Sequence, residues 1–189
     1  MPQKEDRRVR RTKQILKKTL LELLQEKELS KITISELADR ADINRGTFYA
    51  HYSDVSDLFL QMETEFLDDV LKIVTPIFEN PDNSQLIFES LLLHMKERQD
   101  ILCAILNRPN SLFLLALTKR LESELQPLEH TLIPSPTISS TYYYSYLAGG
   151  LLSIIKDWQQ TGMQTSISEF ASLMCELIFF TLPGLRRSY

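Results

Sequence analysis

The chain has 189 residues, 43% of them apolar and 24% charged, an ordinary globular balance that excludes global disorder. Five glycines and eight prolines exclude collagen-like and low-complexity material, and two widely separated cysteines, Cys103 and Cys175, exclude a disulfide framework and a four-cysteine zinc site. The net charge is −4, yet residues 1–52 hold twelve Lys/Arg against eight Asp/Glu, a net of +4, while the remainder carries −8.

A basic head on an acidic body suits a head that meets polyanions. The excess sits at the start, in Lys4, Arg7, Arg8, Arg10, Arg11, Lys13, Lys17 and Lys18. The same pattern also describes a solvated, idle tail. No membrane span is expected. The longest uncharged run, residues 131–155, is broken by Pro134 and Pro136, and its apolar part is shorter than the roughly 20 residues that cross a bilayer. Glu22, Glu26 and Glu28 interrupt what would have to be an apolar signal core. The expected compartment is the cytoplasm.

In chain order, Ile15, Leu16, Thr19, Leu20, Leu23 and Leu24 recur at helical spacing and predict a first helix over residues 8–27. Thr33-Ile-Ser-Glu36 reads as a capping box, and Ile34, Leu37, Ala38 and Ala41 behind it share one face of a short helix. Asp42-Ile43-Asn44 is a tight connection with Ile43 as a buried plug, and Asn44 caps a third helix over residues 45–52. Ser53 or Asp54 caps a fourth, with Val55, Leu58, Phe59, Met62 and Phe66 as its stripe, ended by Pro76. Further helices are expected over residues 84–98, 100–107, 111–126 and 138–161, the last stopped by Gly162. Ser166-Ile-Ser-Glu169 is a second capping box, starting a helix that runs to about residue 182. No segment alternates like a strand. The fold class is all-α, with about nine helices: a head over residues 1–53 and a body over 54–189.

Two short helices joined by three residues and packed by a third describe a helix-turn-helix. Phe48 and Tyr52 are spaced to face the core, which leaves Arg45, Gly46, Thr47, Tyr49, Ala50 and His51 outward. That set is small or hydrogen-bonding and contains no acid, as a major-groove helix requires. Gly46 fits either close approach to DNA or a first-turn position where glycine is cheap.

The stretch Thr33-Ile-Ser-Glu-Leu-Ala-Asp-Arg-Ala-Asp-Ile-Asn-Arg-Gly-Thr-Phe-Tyr-Ala-His-Tyr52 resembles the DNA-binding signature of the tetracycline-repressor (TetR) family of bacterial transcription regulators. The resemblance covers about residues 8–59. It implies an all-helical homodimer whose head reads DNA and whose body binds an effector. It places Thr33, Tyr49 and His51 at phosphate-contacting positions, Arg45 and Thr47 at positions that reach bases or backbone, and Gly46 and Ala50 at variable positions of the reading helix. Asn44 and the arginines Arg7, Arg8, Arg10 and Arg11 complete the expected DNA-binding set. The chain departs from the family pattern at three places: Asp42 replaces the turn glycine, Val55 replaces a lysine, and Glu28 replaces the glycine after the first helix. Trp158-x-x-Thr-Gly-Met163 with the following Ser166-Ile-Ser-Glu169 resembles the end of a subgroup that includes the dihydroxyacetone-kinase-activator type.

In the body, Gly149-Gly150 inside a helix costs stability unless another backbone comes close, a kink forms or a ligand passes. A two-fold bundle of the last two helices would supply that backbone, with Gly149, Gly150, Trp158 and Phe179 as the expected interface. Met62, Phe66, Met95, Phe113, Leu117, Tyr143 and Tyr146 are candidates for an effector pocket, or ordinary core. His94 with Glu97 is too small a set for a metal site, so no metal and no cofactor is expected. No GxSxG, P-loop, HExxH or Cys/His pair points to an enzyme. The sequence therefore predicts a homodimeric regulator on an inverted-repeat, double-stranded DNA operator. Repression relieved by a small-molecule effector is the leading reading; an activator, or control by a protein partner, is the alternative.

Overall fold

A computed structural model describes residues 7–108, 112–128 and 139–182. Of the loop expected over residues 127–136, all but its first two residues lie outside them, as does the start of the helix expected from 138. Among the described residues every regular element is helical. In chain order these are α1 (Arg7–Leu24), α2 (Ile34–Arg40), α3 (Arg45–Tyr49), α4 (Val55–Val74), α5 (Pro76–Glu79), α6 (Ser84–Glu97), α7 (Gln99–Leu106), α8 (Phe113–Leu125), α9 (Ser140–Gln160) and α10 (Ile167–Thr181). Short 3-10 turns cover Leu29–Lys31, Pro81–Asn83 and Gln126–Leu128. The chain divides into two compact units, Met1–Phe66 and Leu67–Tyr189.

In the first unit, α1 buries Leu16, Thr19, Leu20 and Leu23, one apolar stripe at helical spacing. Ile15 lies at the edge of that stripe and is exposed. The core of this unit also holds Leu37, Phe48, Leu58, Phe59 and Phe66, all fully buried. Ion pairs fix the rim: Lys17 to Glu65, Arg40 to Glu26 at 2.7 Å and Lys27 to Glu36 at 2.5 Å.

The caps decide where each short helix begins. The Thr33 hydroxyl accepts the Glu36 amide at 3.2 Å. The Glu36 carboxylate pairs with Lys27, so the expected box is formed on its Thr33 side. The Asn44 side chain accepts the Gly46 amide at 2.7 Å and opens α3. The Asp54 carboxylate accepts the Asp57 amide at 2.8 Å, and Asp57 reaches back to the Ser53 amide at 2.9 Å. That backbone bond, then the Gln61 amide, holds the Asp57 carboxyl below the usual carboxylate range. α3 is shorter than its periodicity predicts, although helical bonds continue past it: the Tyr52 amide bonds to Phe48, four residues back, while the His51 amide also bonds to Phe48, three back.

Two helix ends share one geometry. After α2, the Ile43 amide bonds to the Ala38 carbonyl and the Asp42 amide to Asp39; after α9, the Met163 amide bonds to Trp158 and the Gly162 amide to Gln159. Both are Schellman motifs, which place a residue in the left-handed region; after α9 the next residue, Met163 at φ +54, lies there too. Gly162 takes it at φ +75, as its sequence position predicts, and Asp42 takes it at φ +53. Ile43, expected as a buried plug, is half-buried, because this tight turn holds it at the rim.

In the second unit, α6 packs on α10 and α8 on α9. Gln85 and Glu89 of α6 reach Ser168 at the start of α10, at 3.0 and 2.8 Å. The α10 box is complete, with Ser166 and Glu169 each satisfying the other's amide. Trp158 stacks on Phe170, ring centroids 5.0 Å apart, and its indole N–H donates to the Thr165 carbonyl at 3.0 Å. α5 has no counterpart in the sequence reading. It is a single turn opened by Pro76, whose missing N–H costs nothing at a first helical position.

Asp42→Gly removes the left-handed penalty at that turn. It should raise unfolding stability by about 0.5–1 kcal/mol, the αL cost less the glycine entropy, measured as a higher urea midpoint with an unchanged slope. Asn44→Ala removes the α3 cap and should cost about 1 kcal/mol in the same assay.

Candidate nucleic-acid interface

The surface built around α3 starts from two anchors. Phe48 is fully buried and Tyr52 nearly so, with ring centroids 5.7 Å apart. Fixing these two side chains fixes the opposite face. Arg45, Gly46, Thr47, Tyr49 and Ala50 are exposed, and His51 is half-buried. Tyr49 is 60% exposed, yet its ring stands edge-on to Phe48 at 5.9 Å, which limits its rotamers. Thr33, at the start of α2, is also exposed. Between Arg45 and His51 there is no acidic side chain.

Gly46 has a local reason to be glycine. A Cβ there would stand 3.2 Å from the Asn44 Oδ1 that caps its own amide. The cap and the glycine thus fit as a pair in the first turn. The Arg45 guanidinium reaches back to α2 and donates to the Ser35 hydroxyl.

Arg7, Arg8, Arg10 and Arg11 are residues of α1 itself, with no acid in its first turn. Arg7, Arg10 and Arg11 are exposed. Their charge therefore adds to the positive end of the helix dipole. Val55, where the family pattern offers lysine, is buried as the first residue of α4 and presents no charge.

The residues expected in the body fall apart by burial. Met62 and Phe66 are core of the first unit, whereas Met95, Phe113 and Leu117 are core of the second. Tyr143 is half-buried. Tyr146 is 67% exposed on α9 and does not line an interior; the fully buried tyrosine is Tyr144. Gly149 is half-buried and Gly150 exposed, and a Cβ on either would meet nothing within 4 Å. Trp158, expected at an interface, is instead 3% exposed, closed in by its stacking on Phe170. Phe179 is half-buried. The outward apolar side chains of α10 are Leu173, Leu177 and Phe180, the last 74% exposed. Their i, i+4, i+7 spacing was readable in the sequence, but a helix apolar all round hides which stripe faces out.

Among the described residues no three His, Cys, Asp or Glu side chains gather as a metal site, and no helix is long and apolar enough to cross a membrane. Burial, then Glu176 and Glu89, pushes the Cys175 thiol up to about 11. Burial and Asp100 also raise Cys103, whose sulfur receives the Gln159 amide at 2.9 Å. Both thiols therefore stay protonated at neutral pH and are poor redox sensors.

Residues 16–62 match the family model for bacterial regulatory proteins of the tetR family, and residues 82–179 match a transcriptional regulator C-terminal region. An uncharacterized HTH-type transcriptional regulator of Bacillus subtilis (strain 168), YxbF, is 43% identical over 58 residues, 30% of this chain. That match spans 15% of the length of the relative. Two solved structures share the fold over nearly the whole chain. The dihydroxyacetone kinase operon activator DhaS aligns with a TM-score of 0.57 at 20% identity, covering 91% of this chain and 96% of its own. The fatty acid degradation regulator FadR from Bacillus halodurans aligns with a TM-score of 0.60 at 13% identity, covering 94% and 97%. With both the helix-turn-helix and the regulatory region matched, the chain belongs to the tetR family of bacterial regulatory proteins and is a DNA-binding transcription regulator rather than an enzyme.

Proposed function

We propose that this regulator is a cytoplasmic homodimeric repressor that occupies an inverted-repeat operator and releases it when a small molecule binds the body. The observation that carries the DNA-reading part is the acid-free exposed face of α3, held by Phe48 and Tyr52. In this reading the head, residues 1–53, docks on DNA. Thr33, Tyr49 and His51 hold phosphates, while Arg45 and Thr47 reach base edges. Asn44 shapes the start of the reading helix, and Gly46 and Ala50 let its backbone approach the groove. Arg7, Arg8, Arg10 and Arg11 track the sugar-phosphate backbone from the start of α1.

The body, residues 54–189, dimerises through α9 and α10. Leu173, Leu177 and Phe180 supply an exposed apolar stripe, and Gly149 and Gly150 leave open space for a second backbone. Four helices at a two-fold axis then present two heads to one face of the duplex. Met95, Phe113, Leu117 and Tyr143 supply the effector site. Repression needs only occupancy of the promoter, which makes it the simplest action for such a dimer.

Footprinting on sequences selected from a random pool should show a dyad, with half-sites about 34–36 Å apart or a multiple of that. Run-off transcription from such a promoter should fall as protein is added; a rise would replace repression by activation. Gly150→Leu should shift the protein toward monomer in sedimentation at micromolar concentration, with helical content unchanged. Stable monomer in the parent protein would overturn the dimer. Replacing Arg10 and Arg11 by Gln should flatten the log-affinity against log-salt slope. The change is about 0.9 for each phosphate left without its cation, or about 1.8 for each position in a dimer. An unchanged slope would assign these arginines to solvent.

A further inference from the structure

Arg45 opens α3, and its side chain does not extend straight into solvent. One guanidinium nitrogen, Nη2, donates to the hydroxyl of Ser35, in the first turn of α2. The same hydroxyl donates to the Asp39 carboxylate, one turn further along α2, at 3.4 Å. A serine hydroxyl has one proton and two acceptor lone pairs, so both bonds coexist. The result is a directed chain from guanidinium to hydroxyl to carboxylate across the two helices of the helix-turn-helix.

The chain gives Asp39 a purpose. An exposed carboxylate beside a DNA-facing helix repels phosphate. Placed behind Ser35, it accepts the hydroxyl's hydrogen bond and so turns a lone pair toward the cation. Ser35 itself is half-buried, a firmer point of attachment than the exposed side chains it joins. An unrestrained arginine must lose rotamer freedom when it contacts a base, and a tether made beforehand reduces that loss. One donated proton also leaves the guanidinium four donors, enough for a bidentate pair to guanine N7 and O6.

We propose that Ser35, backed by Asp39, is a positioning residue that pre-sets the Arg45 guanidinium and thereby sets base discrimination at one position of each half-site. The inference rests on the reading of Arg45 as a base-contacting residue. Tyr49 and His51 lie outside the chain of bonds, so the effect falls on discrimination and leaves sequence-independent affinity alone.

The test is fluorescence anisotropy on the full-length protein with three duplex sets: a sequence selected from a random pool, the same sequence with each half-site base pair replaced in turn, and a random duplex. Arg45→Ala should identify the base pair by abolishing discrimination there. Ser35→Ala should lower discrimination at that same base pair by about two- to tenfold, with affinity for random duplex and its salt slope unchanged. Ser35→Thr, which keeps the hydroxyl, should restore the parent value. Ser35→Ala added to Arg45→Ala should change nothing further. Alanine is the better helix former, so the fold survives the change, and thermal melting by circular dichroism checks this. Three results overturn the proposal while leaving the reading of Arg45 intact: unaltered discrimination in Ser35→Ala, tighter binding to the selected duplex, or equal weakening on every duplex. Equal losses for Arg45→Ala on selected and random DNA would overturn the reading of Arg45 and this inference with it.

Discussion

The reading helix has five residues, Arg45–Tyr49, far below the length at which an isolated helix persists in water. Its existence depends on Phe48. That ring is fully buried, as are Leu20, Leu37 and Leu58 in the core of the same unit. Burying a phenylalanine is worth roughly 1.5–3 kcal/mol, more than the few tenths that intrinsic propensity offers per residue. Everything on the outward face takes its direction from this one side chain. Tyr52 adds a second anchor below it, and Asn44 sets the first turn. With both ends and the middle held, Arg45, Thr47 and Tyr49 are presented as a rigid array.

Around that anchor the surface is not arranged for the stability of the isolated chain. Arginines crowd the N-terminal turns of α1, and the described first turn holds no acid. Each cation so placed opposes the dipole by about 0.3–1 kcal/mol at low salt. Asp42 holds a left-handed conformation that glycine takes at lower cost. Such local conflicts collect where function competes with folding. Under the proposed docking, phosphates would supply negative charge at that end, so the same residues that weaken the free head would strengthen its complex. Asp42 is different in kind. Its side chain is exposed, and the Schellman bonds beneath it force the backbone whatever the residue, so the turn survives the departure from glycine.

The head was more legible in the sequence than the body, and for a physical reason. Its helices α2 and α3 are short, and the helices from α2 to α4 begin at capping residues whose hydrogen bonds are local: Thr33 to Glu36, Asn44 to Gly46, Asp54 to Asp57. Local bonds leave local signatures. The spacing of Phe48 and Tyr52 then divided inward from outward correctly, and the stripe of Val55, Leu58, Phe59, Met62 and Phe66 is buried throughout. What escaped was the long-range partner of each polar group. Glu36 answers Lys27 instead of its own cap, and Arg45 answers Ser35, ten residues away. Periodicity cannot show either.

In the body the deciding facts are long-range, so single residues misled. Trp158 is the lone tryptophan, in a helix whose exposed face carries Tyr142 and Tyr146, and composition alone makes it an interface candidate. Its actual partner is Phe170, twelve residues on, brought back by the Gly162 turn and the Ser166 cap. Once the tryptophan is spent on joining α9 to α10, the large apolar side chains the two helices leave exposed are Tyr142 and Tyr146 on α9 and Leu173, Leu177 and Phe180 on α10. The glycine pair follows the same logic from the opposite side. A glycine retained inside a helix for close packing should have a neighbour where its Cβ would be. Among the described residues, Gly149 and Gly150 have none within 4 Å. Two glycines therefore cost α9 about 1 kcal/mol each relative to alanine with no compensation among the described residues, and an apolar stripe of the adjoining helix is also left in water. A single second copy laid against both elements would remove the two deficits together.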